Sequence, residues 1–403
     1  MRLLVVTNLY PPYYLGGYEV LCENAVAELR QRGHDIVVLT SMHGVHTPDR
    51  NDHLCRSLLL TRPWDQPAQG RQRWSSWRTT RHNYRETRVV LDQIRPELVF
   101  FWSQGRITLG PAYAAQDAGY RTAYTMNDFH WNQFVADSPL HTGMSRKVRA
   151  IERRLLPQLF LNDIDLTHTT CISKRLRTDL VREGVPVSQA EILYQGIPIT
   201  QFPMRESPGM LHDPVRFLYV GQLHEYKGPH TAIAAFAALS KRTNLPMTLT
   251  LIGAGPDAYC QRLRAMVDKL GITPQVTFTG KVAIEALPAY YREHDIFLFT
   301  SIWPEPFGLT FLEAMASGIP VISTTVGGQA ECLDDGVNCL TFTADDAASL
   351  AEGMHRLLLD ADLRRAIVLT ARHRIEQDFT MQAYINRIER FLINSISDKH
   401  GAD

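Results

Sequence analysis

The chain has 403 residues, 45% apolar and 21% charged, the composition of a soluble globular protein long enough for two ordinary domains. Lys plus Arg equal Asp plus Glu at 42 each, so no overall field favours nucleic acid or a membrane, and any basic character is local. Six cysteines without a C-x-x-C pair argue against a disulfide framework and against a zinc site, and suit reduced thiols in the cytoplasm.

Residues 3–7 read as a first strand, because the N-terminal apolar run is too short for a signal peptide, and no run anywhere is long enough for a transmembrane helix. Gly16 and Gly17 follow, after Pro11 and Pro12, and open a helix over 19–32. A glycine pair there lets backbone approach a ligand at a strand's carboxyl end, and it serves equally well in a plain turn. A second strand is expected over 35–40.

The next segment is different in composition. Between Arg56 and Arg88 stand eight arginines against Asp65 and Glu86, with Trp64, Trp74, Trp77 and Tyr84 interleaved. Its second half has helical spacing, with Trp77, Tyr84 and Leu91 on one face and Ile94 extending it before Pro96. Such a segment is either a surface helix with a solvated arginine face or a weak docking site for a membrane surface or an anionic acceptor; nucleic acid is not expected.

Strands over 98–102 and 122–125 continue the first half. The second of these closes on Asp128 and His130, a polar cluster that suits an acceptor site as well as a capped loop. Asp163 and Asp165 have the spacing of a metal-binding pair but precede a strand-like run, so they read as cap and strand-entry residues and no metal is expected. Pro and Gly then concentrate over 194–203 and 206–214, the expected linker.

A second series follows, with strands over 216–220, 248–252, 276–279, 296–300, 320–323 and 339–342. Helices over 231–242, 259–270 and 347–359 lie between them, and a last one covers 381–394. This alternation predicts an α/β protein with two parallel sheets. Lys227, just before Gly228 and a helix start, can reach a diphosphate as a point charge. Gly253 and Gly255 form half of a dinucleotide fingerprint and read as a structural turn, while Gly327 and Gly328 give another close-approach loop.

The stretch from Glu305 to Ile322 is the most specific. Glu305 lies in a loop, and Glu313, with seven residues between, lies about two turns into a helix that stops at Gly318-Ile319-Pro320 before a buried strand. That aims the unpaired N–H groups of a helix start at a site bordered by two acids. A nucleotide sugar has matching needs: N–H donors for its diphosphate and carboxylates for its hydroxyls. A dinucleotide-dependent oxidoreductase would need an acid at the end of the second strand, where Thr40 and Ser41 stand.

These residues together resemble a retaining glycosyltransferase of family 4, with the GT-B fold of two Rossmann-like domains. The similarity runs from Pro12, Gly16, Gly17 and Glu19 with Arg32-Gly33-His34, through Gly221, Lys227, Gly228 and Gly253-x-Gly255-Pro256, to Ser301, Glu305, Phe307, Gly308 and Glu313-Ala314, ending in Gly318-x-Pro320 and Gly327-Gly328 with Glu331. The resemblance implies an acceptor domain over 1–200 and a nucleotide-sugar domain over 201–380, with the final helix, about 381–403, crossing back to the first across a hinged cleft. It implies that Glu313 takes the ribose hydroxyls and Glu305 the donor hexose. Lys227 and backbone amides near Gly17, Phe307, Gly308 and Leu309 would hold the diphosphate, with Val282 by the base. Catalytic roles are expected for Glu305, Lys227 and Asp128, and acceptor contacts for Arg106, His130, Arg146 and Lys147.

Two departures stand out: Gln222 occupies a position where the family usually has an arginine that contacts the diphosphate, and Asn127 one where histidine is common. The resulting expectation is a cytoplasmic, metal-independent hexosyltransferase without a cofactor. UDP-glucose is the first donor and GDP-mannose the second, and the acceptor is a sugar phosphate, as for sucrose-phosphate synthase-like members, or a lipid-linked or cell-envelope glycan. A catalytically inactive nucleotide-sugar-binding protein on the same fold is the alternative of another class.

Overall fold

The computed structural model describes residues 1–14, 16–62, 73–135 and 159–397. The chain divides into two compact units, Met1–Leu193 with Ile385–Asp403, and Tyr194–Tyr384.

The first unit is built on eight strands: β1 (Arg2–Val6), β2 (Asp35–Ser41), β3 (Asp49–Arg50), β4 (Leu54–Leu58), β5 (Leu98–Phe101), β6 (Thr122–Met126), β7 (Thr169–Cys171) and β8 (Glu191–Ile192). Their order is β3-β4-β2-β1-β5-β6-β7-β8, and only the β3–β4 pair is antiparallel. β1 lies between β2 and β5, with Val5 opposite Val38 on one side and Phe100 on the other. A strand covered on both faces carries an unbroken apolar run, and Leu3, Leu4, Val5 and Val6 are all buried. Helices α1 (Gly17–Gln31), α2 (Arg73–Ile94), α3 (Gly110–Asp117) and α4 (Lys174–Arg182) accompany this sheet.

The inward face of α2 departs from expectation. Its buried stripe is Thr80, Asn83, Thr87, Val90 and Leu91, while Trp77 and Tyr84 are half-buried on its flank. Polar groups take the stripe because each finds a backbone partner: Thr80 and Thr87 donate to the Ser76 and Asn83 carbonyls one turn back, and Asn83 reaches the loops after β4 and β5. The Asn83 amide donates to the Leu59 and Ile107 carbonyls at 2.9 and 2.7 Å and accepts the Leu59 N–H at 2.7 Å. Arg56 is not part of a solvated face either: it is buried, and its guanidinium donates to the Tyr10 and Pro11 carbonyls beneath the Tyr13 ring. Trp64 and Asp65, and the side chain of Trp74, lie outside the described residues.

The second unit has six parallel strands, β9 (Val215–Val220), β10 (Met247–Ile252), β11 (Val276–Gly280), β12 (Ile296–Phe299), β13 (Val321–Ser323) and β14 (Leu340–Thr341), in the order β11-β10-β9-β12-β13-β14. With them run α5 (Pro229–Ser240), α6 (Asp257–Leu270), α7 (Leu287–Glu293), α8 (Thr310–Ala316), α9 (Ala347–Leu359) and α10 (Ala361–Asp378). Phe217, Phe236, Leu249, Leu298 and Met354 anchor its core.

The last helix, α11 (Met381–Ser397), starts in the second unit and from Ile385 onward belongs to the first. There Glu389 accepts from Arg32 at 2.5 Å and pairs with His34 at 2.7 Å, so the Arg32-Gly33-His34 motif serves to hold this helix. No helix among the described residues is long and apolar enough to cross a membrane.

Candidate functional site

In both sheets the strand order reverses direction beside the first strand of the unit, between β1 and β5 and between β9 and β12. Open α/β sheets bind ligands at the carboxyl ends of the strands flanking such a point, where two diverging loops leave a crevice.

In the second unit that crevice exists as a pocket of about 140 Å³. Gly221 at the end of β9 lines it together with Lys227, Ser301, Glu305, Gly308 and Leu309. Lys227 ends a short 3₁₀ turn over Glu225–Lys227, and Gly228 then takes φ +66° to start α5. A β-carbon on Gly228 would stand 2.1 Å from the Thr300 carbonyl, so only glycine lets this loop close on the end of β12.

The Lys227 ammonium is ion-paired with Oε1 of Glu305, and Ser301 Oγ donates to the same oxygen at 2.7 Å. Glu305 is nearly buried, while a quarter of the Lys227 side chain is exposed. The ammonium therefore stands at the pocket wall with a buried carboxylate behind it.

Glu305 is fixed from below as well. The Gly328 N–H donates to the Glu305 carbonyl at 2.7 Å, and a β-carbon on Gly327 would come within 2.4 Å of the Glu305 backbone. Gln329, fully buried, donates to the Thr324 carbonyl at 3.2 Å, and Thr324 Oγ1 donates to the Ser301 carbonyl at 2.6 Å. The close approach expected of Gly327 and Gly328 is thus to the loop that carries the acid. Gly253 and Gly255 act in the same way, packing on the Gly221 and Leu223 carbonyls, where added β-carbons would stand at 1.8 and 1.9 Å.

Glu313 lies in the first turn of α8, not two turns in, because the helix begins only at Thr310. Its Oε2 accepts the Tyr291 hydroxyl at 2.8 Å. Burial pushes the Glu313 carboxyl up to about 7, against the pull of that hydrogen bond. Tyr291, 22 residues upstream on α7, carries no local signal that would have named it.

Of the expected donor-site residues in this unit, four are not in the pocket wall. Gln222 is exposed and its Oε1 accepts the Tyr226 hydroxyl at 3.0 Å. Phe307 is fully buried, its ring packed among Tyr194, Phe311 and Phe379. Val282 is half-buried just past β11, and Glu313 faces Tyr291.

In the first unit, Gly17 is the first residue of α1 and is capped by Gly16, whose N–H donates to Glu19 at 2.9 Å. Glu19 is 1% exposed, and burial pushes its carboxyl up to about 7. Asp128 caps the 3₁₀ turn Phe129–Phe134, accepting the His130 N–H at 2.8 Å, and its other oxygen pairs with His130 Nδ1 at 2.8 Å. Burial works to raise Asp128, but the His130 charge and hydrogen bonds hold it below the usual range. The Asp128 carboxylate in turn raises His130, more than burial, Arg106 and Arg62 lower it. Asn127 donates to the Trp102 carbonyl at 2.9 Å, a structural pin. Arg146 and Lys147 lie outside the described residues. Among the described residues no cluster of acids, histidines and cysteines could hold a metal ion.

Two family descriptions match successive stretches of the chain: "Glycosyltransferase Family 4" over residues 15–201 and "Glycosyl transferases group 1" over residues 200–374. An uncharacterized glycosyltransferase of Methanocaldococcus jannaschii is 24% identical over 394 residues, covering 94% of this chain and 95% of the relative. Among solved structures, Anabaena HepE in complex with UDP-glucose aligns with a TM-score of 0.72 at 20% identity, covering 98% of this chain and 100% of that one. The sucrose-phosphate synthase of Thermosynechococcus elongatus aligns at 0.71 and 19%, covering 98% of each chain.

Proposed function

The chain belongs to glycosyltransferase family 4, enzymes of GT-B architecture, and from that premise we propose a retaining hexosyltransferase that moves a hexose from a nucleotide-diphosphate sugar to a hydroxyl acceptor. The observation that carries this reading is the pocket at the β9/β12 switch point, where one ammonium and one nearly buried carboxylate share a wall. A nucleotide sugar presents both complements there: an anionic diphosphate for Lys227 and hexose hydroxyls for the acceptor oxygens of Glu305. The backbone of Gly308 and Leu309, which line the pocket, supplies further donors, and Glu313 beside Tyr291 takes the ribose hydroxyls.

As the sugar–phosphate bond breaks, negative charge grows on the leaving diphosphate, and Lys227 is placed to stabilise it. Glu305 would orient the hexose so that the acceptor hydroxyl attacks from the face that the diphosphate leaves, which retains the anomeric configuration. Gln222 is a neutral amide and gives no second cation, so Lys227 is the one cationic side chain among the residues that line the pocket. UDP-glucose is the first donor to test and GDP-mannose the second. The acceptor sits on the first unit with Arg106 and His130, and Asp128 sets the charge of that histidine. Exposed Arg78, Arg81 and Arg85 on α2 would support weak contact with an anionic surface. Six free thiols suit a reducing compartment such as the cytoplasm.

Calorimetric titration with UDP, GDP and ADP, followed by hydrolysis of a panel of nucleotide sugars without acceptor, tests the assignment. One nucleotide should bind best, and its sugar conjugate should be turned over slowly. Absence of both would leave a fold without the chemistry.

A further inference from the structure

Just past Lys227, side chains from three separate elements form a hydrogen-bonded series. His230 stands in the first turn of α5, which begins at Pro229 directly after Lys227 and Gly228. Its Nδ1 lies 2.8 Å from the Tyr259 hydroxyl on α6, and its Nε2 lies 2.9 Å from Oδ1 of Asp345, in the loop between β14 and α9. The same Asp345 oxygen accepts from Thr231 Oγ1 at 3.0 Å. An ionised carboxylate only accepts, so Nε2 carries a proton, and in the neutral ring Nδ1 accepts from the Tyr259 hydroxyl.

An acid, an imidazole and a hydroxyl in series also describe a nucleophilic triad, but that reading fails here. Tyr259 is buried, burial pushes its hydroxyl up to about 12, and none of the three residues lines the pocket. The series is placed to hold rather than to react. Asp345 adopts φ +59°, a left-handed backbone uncommon outside glycine, and from it the carboxylate reaches two side chains in the first turn of α5. On the other side of Lys227, Glu225 pairs with Arg262 of α6 at 3.2 Å, but both partners are about two-thirds exposed and hold weakly. The His230 ring is largely shielded and bonded at both nitrogens. Gly228 is already packed on the Thr300 carbonyl, so an α5 turn that drifts carries Lys227 with it.

We propose that His230, held between Tyr259 and Asp345, is a positioning residue that sets where the Lys227 ammonium meets the diphosphate. The inference rests on the transferase reading and extends it to residues that touch neither nucleotide nor sugar. A point charge has no directional fork to hold a phosphate in place, so its effect depends on where its stem is anchored. The anchor is the start of α5, and His230 is the side chain that ties this start to α6 and to the loop before α9 at once.

The test titrates the full chain with whichever of UDP, GDP and ADP the wild type binds best, by calorimetry, and with the matching nucleoside, which has no phosphate, by ligand-observed NMR. His230→Ala should weaken nucleotide binding about tenfold and leave nucleoside binding close to wild type. In a Lys227→Ala background the same change should have almost no effect on the nucleotide, since the group it places is gone. His230→Gln, whose amide can still donate to Asp345, should recover part of the affinity, and Tyr259→Phe, which removes only the hydroxyl, should lose less than His230→Ala. Equal weakening in the two backgrounds, or equal weakening of nucleotide and nucleoside, would mark the series as a support of the fold alone and overturn the proposal. Wild-type nucleotide affinity in His230→Ala would overturn it too. Should His230→Ala fail to fold, His230→Gln and Tyr259→Phe carry the same comparison in both backgrounds. A wild type that binds none of the three nucleotides would sink the transferase reading itself, which is a different result from a loss confined to the variants.

Discussion

Replacing Glu313 by glutamine should make the protein more stable and its nucleotide binding weaker, with both effects following pH. The Glu313 carboxyl is pushed from the ordinary 4.5 to about 7 by burial, partly offset by the Tyr291 hydroxyl 2.8 Å away. Because its folded value lies above the unfolded one, the native state holds the proton more tightly. Stability from this group is therefore fully present below about pH 4.5 and is lost as pH rises through 7. The full loss is about 3 kcal/mol, and solvent reaching the partly accessible side chain trims it to about 2. Glutamine keeps an oxygen for Tyr291 but never charges, so Glu313→Gln should match wild type at pH 5 and exceed it by about 2 kcal/mol at pH 8. If the carboxylate reads ribose hydroxyls, the variant should bind UDP about tenfold or more weakly at pH 8, and the gap should narrow by pH 6. Wild-type binding near pH 7 should release protons, seen as a dependence of the calorimetric heat on the buffer's ionisation enthalpy. Urea midpoints and UDP titrations at pH 5, 6, 7 and 8 measure all of this. A variant less stable than wild type at pH 8, or one whose stability runs parallel to wild type across the range, would refute the reasoning.

Lys227→Ala should cost about 2 kcal/mol in urea unfolding, since it leaves the nearly buried Glu305 carboxylate to Ser301 alone, with solvent screening keeping the loss below that of a fully buried pair. Adding Glu305→Gln should recover most of that stability without restoring transfer; if the double variant is no more stable than Lys227→Ala, the pair is not the cause. Gly327→Ala should lower turnover and stability together, by 2 kcal/mol or more, by forcing the Glu305 backbone away from a β-carbon 2.4 Å off. Gly336→Ala is the control: with φ +72° and open space around it, it should cost about 1 kcal/mol and leave turnover alone.

The sheets were legible because strands covered on both faces carry runs such as Leu3–Val6, and alternation with amphipathic helices forces parallel pairing. β3, β4 and β8 were missed for opposite reasons: two are only two residues long, and β4 carries the polar Arg56 and Ser57 inward. On α2 the period was read correctly but its phase was not, because Thr80, Asn83 and Thr87 find backbone partners and so displace Trp77 and Tyr84 from the buried stripe. Lys227 and Glu305 could be named from the sequence, since a cation before a glycine and an acid before a helix are local patterns. Tyr291 could not, because its tie to Glu313 spans 22 residues and depends on how α7 packs against α8. Gln222 shows the converse limit: the substitution was visible, but its attachment to Tyr226 was not.

The glycines under the pocket have a practical consequence for redesign. Gly253 and Gly255 rest on the 221–223 loop, Gly228 on the end of β12, and Gly327 on the segment bearing Glu305, each at a spacing that no methyl group tolerates. These turns therefore stack like fitted tiles. A recombinant that imports one of them from a cousin inherits the offset of the others, so exchange of sugar preference by swapping parts should succeed only when all four travel as a set.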